Sequence, residues 1–171
     1  MIATAAPARE FESIQVDPAA LPEDAAWDAF IAAHPFGHHE QSSMYGRLRK
    51  AFGFEAERVV LRRQERIIGG AQVLWRQTPI GRIAFVKRAP IALDDDREVL
   101  GRIVDELDRM ARDHRFAVMR FDTFTPQDAA REVLATKGFE PHGYWGGESL
   151  SARILLTGGD EAILARMTPK G

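Results

Sequence analysis

GRIAFVKRAPIALDDDREVLGRIVDELDRMARDHRFAVMRFD, residues 81–122, is the stretch whose reading decides the fold. Residues 83–91 are apolar and suited to a strand, and Pro90, with no N–H to donate, stands near the end, where a ladder breaks. Asp94, Asp95 and Asp96 offer N-cap oxygens and negative charge where a helix dipole favours them. From Glu98 to Arg112, Val99, Leu100, Ile103, Val104, Leu107, Met110 and Ala111 recur at helical spacing and predict one apolar stripe. Residues 116–121 are a short, mostly apolar run and predict a strand buried in a sheet. A crossover of this length makes the two strands parallel neighbours, with the helix over one face. The stretch therefore predicts an α/β domain.

Working outward, residues 1–22 read as a leader into the sheet and residues 23–171 as one domain. A short helix is expected over Glu23–Ala33, ended by Pro35 and Gly37. Ser42 or Ser43 can cap a second helix with Met44, Leu48 and Tyr45 facing inward, stopped by Gly53. Arg58–Arg63 and Arg66–Arg76 alternate as the strands of a hairpin turning near Gln64-Glu65. Gly69-Gly70 inside the second strand marks a bulge or a close backbone approach. After Asp122, Pro126 opens a helix to Thr136, with Gly138 as its C′ residue. Phe139 and Trp145 are available to close over the sheet, Ser149–Leu156 reads as a strand, and Asp160–Met167 as a final helix.

The chain has 171 residues, 45% apolar and 28% charged, which suits one domain with a proper core and excludes a disordered chain. No run approaches the roughly 20 apolar residues of a spanning helix. The opening MIATAAPARE shows no secretory pattern, and there are no cysteines, so a cytoplasmic setting is expected and thiolate chemistry is excluded. The net charge of -2 gives no global attraction to nucleic acid. Its distribution is uneven: residues 47–88 hold eleven basic and three acidic side chains, between acidic flanks. Such a block is either a set of solvated strand faces or a surface that receives phosphates.

Metal chemistry finds little support. His34, His38 and His39 are separated by Pro35 and Gly37 and have no fixed acidic or thiolate partner, so loop histidines are expected and no metal is assigned. Helix capping already accounts for the three aspartates. No nucleophile elbow, phosphate loop or nucleophile–base pair is visible, and the catalytic residues stay unassigned.

Two short helices, a hairpin, then β-α-β-α-β is the element order of the acetyltransferase-like (GNAT) fold, with a mixed central sheet and helices on both faces. An acetyl-CoA enzyme cradles pyrophosphate with a glycine-rich turn at its central helix N-terminus. Here that turn is Ala92-Leu93-Asp94-Asp95-Asp96, with three carboxylates and no glycine, which disfavours ordinary acetyl-CoA binding.

Four segments in register, WDAFIAAHPFGHHEQSSMYGRLRKAFGFE, RIIGGAQVLWR, IAFVKRAPIA and GFEPHG, resemble the N-terminal half of Fem-type (FemABX) peptidoglycan-bridge aminoacyltransferases. The resemblance covers about residues 27–170. It implies a domain from an enzyme of two GNAT-like halves, which moves an amino acid from aminoacyl-tRNA to the peptide of a UDP-linked or lipid-linked muramyl precursor, without a metal or cofactor. The family's Gln-Ser falls on Gln41-Ser42, and its precursor-binding lysine on Arg49, which keeps the charge and can grip phosphate bidentately. The family's Tyr-x-Pro-Arg-Gly-Pro becomes Phe85-Val86-Lys87-Arg88-Ala89-Pro90, losing the tyrosine hydroxyl and the glycine. The resemblance thus implies substrate binding by Gln41, Arg49, Phe85, Lys87 and Arg88; Arg88 reads equally as a structural strand-end residue. The segment ILARMTPKG resembles the point where the family continues into its second domain, so the second half is expected to be absent. Two other readings stay open: an N-acyltransferase using acetyl-CoA, and a non-catalytic half-domain that self-associates or pairs with another chain.

Overall fold

The computed structural model describes residues 24–123, 128–142 and 157–166, and the backbone of a strand at 12–16. The chain divides into two compact units, Met1–Glu140 and Pro141–Gly171. The first is built on a six-stranded mixed sheet. β1 (Glu12–Val16), β2 (Glu55–Arg63), β3 (Arg66–Thr78) and β4 (Gly81–Lys87) pair antiparallel in that order. β6 (Phe116–Asp122) lies parallel to β4, with Phe85 opposite Arg120 and Lys87 opposite Asp122. β1 falls within the leader expected at residues 1–22. The second unit holds one described helix, α5 (Gly159–Arg166), whose last arginine donates to the Ala162 and Thr157 carbonyls.

The crossover between β4 and β6 is α3 (Arg97–His114). Of its expected stripe, Val99, Leu100, Ile103, Val104, Leu107 and Met110 are buried, while Ala111 lies at the edge and is half-buried. Only Asp96 caps it, accepting from the Glu98 and Val99 amides at 3.0 and 3.3 Å. Asp94 and Asp95 instead take left-handed φ values of 55° and 51° in the short turn before it. Aspartate tolerates that region because its short side chain can bond locally. α4 (Asp128–Thr136) packs beside α3 and ends with Gly138 at φ 85°, while Phe139 folds back onto Phe121 with ring centres 4.8 Å apart. Pro126, Trp145 and residues 149–156 lie outside the described residues.

α1 (Ala25–Ala33) and α2 (Ser43–Lys50) cover the opposite face. Alternation along the strands divides the core between the two sides. Val59, Leu61, Val73, Ala84 and Val86 meet α3 and α4, whereas Val60, Ile67 and Ile91 meet Trp27 and Ile31. The paired glycines mark close approach: a Cβ on Gly70 would stand 2.3 Å from the Val59 carbonyl oxygen and 2.8 Å from the Trp27 ring.

Two expectations are corrected. Met44 and Leu48 of α2 face outward, 65% and 53% exposed, and Ser43 and Gly46 are buried in their place. The reason is polar: the inner side of α2 meets the buried side chains of Gln72 and Arg58, which leave room only for small residues. β6 is a parallel neighbour of β4 but not a fully buried strand, since Ala117 and Val118 are exposed. β6 is the last strand in the sheet order, and on the α1/α2 side the main packing of α2 is on β2 and β3.

Candidate functional site

The site begins where β4 stops. β3 pairs with β4 as far as Val73 opposite Val86, then with a two-residue strand, β5 (Ile91–Ala92), at Gly70 and Gly69. Between these pairings Arg88–Pro90 bulges out of the ladder, with Arg88 at φ 56° and its amide on the Asp122 carbonyl. β5 then pairs with β3 rather than β6, so the two central strand paths part after Arg88.

Gln41 fills the interval. It is fully buried; its Oε1 accepts from the Gln72 amide at 2.6 Å, and its Nε2 donates to the carbonyls of Gln72 and Lys87. A side-chain amide thus supplies hydrogen bonds that the bulge removes from the ladder. Around it lies a buried polar layer. Arg58 donates to Gln72 Oε1 at 3.1 and 2.9 Å and to Ser43 Oγ at 2.9 Å. Gln72 Nε2 holds the Glu40 and Ser42 carbonyls, both at 3.1 Å, and Trp27 Nε1 donates to the Gln41 carbonyl. Burial pushes the Arg58 pKa down, opposed by the carboxylates of Asp24 and Asp28. These contacts pin the segment 38–43 above the bulge.

What they present is a charged, half-buried cluster. The Glu40 carboxylate lies 3.3 Å from the Tyr45 hydroxyl, 3.5 Å from His38 Nδ1 and 3.7 Å from Arg88 Nε. Beside it, Lys87 Nζ and Arg120 Nε both reach Asp122, at 3.1 and 3.0 Å. Arg49 stacks on the Phe54 ring at 4.0 Å, Arg76 approaches the same ring at 4.9 Å, and Phe85 meets its edge at 6.2 Å. The Arg49 Nε is buried with no hydrogen-bond partner among the described residues. Burial raises the Tyr45 hydroxyl pKa above 10, helped by the Glu40 charge. Burial lowers the His38 pKa, helped by His39 and Arg88 and opposed by Glu40.

Of the five residues singled out from the sequence, Arg49, Phe85, Lys87 and Arg88 border one continuous surface of α2, β4 and the bulge. Gln41 lies beneath it. Glu40, Tyr45, Arg76, Arg120 and Asp122 were not foreseen. Two signals were available: Glu40 adjoins Gln41, and Arg120 and Asp122 alternate on the face of β6 that adjoins Phe85 and Lys87. Among the described residues no group of three His, Asp or Glu side chains could hold a metal ion. No described helix is long and apolar enough to cross a membrane. At the α3 N-terminus, the carboxylate of Asp96 already occupies the first free amides, the donors a pyrophosphate would use.

Comparison with known proteins places this geometry. The model of the FemAB family matches residues 23–137. Lipid II:glycine glycyltransferase of Staphylococcus epidermidis is 26% identical over 122 residues, covering 68% of this chain and 29% of the relative. The Staphylococcus aureus protein of the same name is 24% identical over the same length. The chain therefore spans less than a third of the length of these relatives. Among solved structures, FemX superposes with a TM-score of 0.63 at 21% identity, covering 75% of this chain and 32% of that one. The aminoglycoside N-acetyltransferase AAC(6')-Iy in complex with CoA superposes at 0.59 and 13% identity, covering 86% and 97%. The fold is thus the GNAT-like one expected from the element order.

Proposed function

Because this chain belongs to the FemAB family, we propose that it is the precursor-binding part of an aminoacyltransferase acting on a muramyl peptide. Its acceptor is the side-chain amine of a UDP-linked or lipid-linked muramyl peptide, and its donor is aminoacyl-tRNA. The names of the relatives, lipid II:glycine glycyltransferase, support an acceptor of this class. The observation that carries the reading is the convergence of Arg49, Lys87 and Arg88 beside half-buried Phe85 where the strand paths part.

The chemistry asks little of the protein. The ester of an aminoacyl-tRNA is already activated: the amine adds to the ester carbon, the bond to the ribose oxygen breaks, and that oxygen leaves with a proton as the amide forms. Positioning the two substrates and neutralising charge supply the acceleration. In this reading Arg49 and Arg88 hold the precursor diphosphate by charge-assisted hydrogen bonds. Lys87 adds charge from the strand end. Phe85 offers an apolar floor where the family's tyrosine would offer a hydroxyl. Gln41 acts through the main chain, holding Lys87 and the bulge in register.

Titration with UDP-linked muramyl pentapeptide tests the reading. The Arg49→Ala and Arg88→Ala variants should each bind about 10- to 100-fold more weakly, the loss of one charged hydrogen bond. Affinity unchanged in a variant removes that arginine from the site. No binding by the unaltered chain overturns the precursor reading.

A further inference from the structure

One carboxylate stands among the cations of the site without the short contacts that a half-buried charge ordinarily makes. The Glu40 side chain is 17% exposed. Its one hydrogen bond among the described residues comes from the Tyr45 hydroxyl at 3.3 Å. His38 Nδ1 and Arg88 Nε stay at 3.5 and 3.7 Å. Charge-assisted N–H···O bonds are ordinarily about 2.7–2.9 Å. Other carboxylates of this protein come nearer to that length. Asp122 meets Lys87 Nζ and Arg120 Nε at 3.1 and 3.0 Å. Buried Glu57 accepts from Trp75 Nε1 at 2.8 Å and lies 3.0 Å from His114 Nε2. The looseness at Glu40 does not come from a loose backbone. Its amide donates to His38 Nδ1, its carbonyl accepts from Gln72 Nε2 at 3.1 Å, and the next residue, Gln41, is fully buried. The fold therefore fixes a carboxylate, with about four lone-pair sites, in a cationic surface and leaves most of its acceptor capacity unused.

We propose that Glu40 is a specificity-determining residue, which accepts hydrogen bonds from the hydroxyls of a sugar bonded to the diphosphate. The inference rests on the precursor reading, in which Arg49 and Arg88 hold that diphosphate. A plain counter-ion for Arg88 would sit closer to it, and a phosphate oxygen would be repelled. What the carboxylate suits is an O–H donor beside the phosphates. A sugar joined to a phosphate carries hydroxyls only a few bonds from phosphorus, and Glu40 adjoins Arg88. The acceptor amine is several residues along the peptide from the diphosphate, so a hydroxyl is the nearer donor. Such a carboxylate also rejects wrong ligands. It repels free phosphate and pyrophosphate, and only a ligand that brings hydroxyls offsets the repulsion. The ribose of a UDP-linked precursor and the amino sugar offer the same chemistry.

Calorimetry of the full chain with inorganic pyrophosphate, UDP and UDP-linked muramyl pentapeptide tests it. Removing the carboxylate should act on them in opposite directions. E40A should bind pyrophosphate about 3- to 10-fold more tightly, because a nearby like charge is gone. It should bind the muramyl pentapeptide at least about threefold more weakly, since a hydrogen bond to a charged group outweighs the repulsion relieved. Weaker UDP binding in E40A assigns the hydroxyls to the ribose; a gain like that of pyrophosphate assigns them to the amino sugar. E40Q keeps one carbonyl acceptor without the charge. It should match E40A with pyrophosphate and recover part of the precursor affinity. Far-UV circular dichroism should be unchanged in both variants, because the carboxylate makes no short contact. Precursor affinity that is unchanged in E40A, or that rises with that for pyrophosphate, overturns the proposal. A loss common to all three ligands does so too, since it marks a structural role. Absence of precursor binding by the unaltered chain overturns the precursor reading itself, and this inference with it.

Discussion

A histidine held neutral by its surroundings is a measurable consequence of the way residues 38–45 pack. His38 is partly withdrawn from water beside His39, and these effects outweigh the pull of Glu40. Its native midpoint is therefore expected below 6.5, and Glu40→Gln, which removes a group that raises it, should move it lower still. Proton-detected titration of the histidine ring checks both; a midpoint above 6.5 contradicts the packing. The sign for stability follows. The unfolded chain takes up the proton first as pH falls, so the contribution of His38 is complete above 6.5 and is lost as pH drops through the lower native midpoint. Bound diphosphate would add negative charge beside the ring and raise the midpoint again, which makes the same signal a reporter of precursor binding.

Among the elements, the strand break at Arg88–Pro90 is the one on which the site depends, and Gln41 is what makes it tolerable. Its side chain serves the Gln72 amide and two carbonyls in a place where water has no access. Gln41→Ala would leave those groups unpaired in the interior, and the expected loss is about 2–4 kcal/mol of stability by denaturant unfolding. Precursor binding should fall with it, because the Lys87 carbonyl loses its anchor. Stability within ~0.5 kcal/mol of the unaltered chain would show that the bulge holds itself, since such small changes are usual for surface positions. The sequence marks this element only in part. Pro90 announces a break in the ladder, and the strand–helix–strand reading of residues 81–122 is correct in kind and order. What no periodicity shows is that a glutamine 46 residues upstream completes the ladder. For the same reason Met44 and Leu48 read as an inward stripe: the pattern reports spacing, and a polar layer built on Arg58 and Gln72 turned the helix the other way.

At the scale of the whole chain, the GNAT-like fold leaves two readings to be separated by experiment, an aminoacyl donor and an acyl-CoA donor. The aminoglycoside N-acetyltransferase that shares this fold is itself in complex with CoA. Against that, Asp96 takes the α3 amides and two further aspartates precede it. Calorimetry with coenzyme A is expected to give no micromolar binding; finding it would favour the acyl-CoA reading over the aminoacyl one. The FemAB relationship and the α/β layering were legible from sequence because they rest on local signals: an apolar stripe, turn residues, and four motifs in register. Chain order alone also determined that β4 and β6 are parallel neighbours, since an 18-residue helix between strands leaves few other arrangements. Tertiary structure alone decided which cations meet. Arg49, Arg76, Lys87, Arg88 and Arg120 come from a helix, three strands and a bulge, and distance in sequence says nothing about proximity once the sheet is formed. It also decided that Gln41 supports the site from below rather than lining it, because burial is a property of the neighbours a residue acquires on folding.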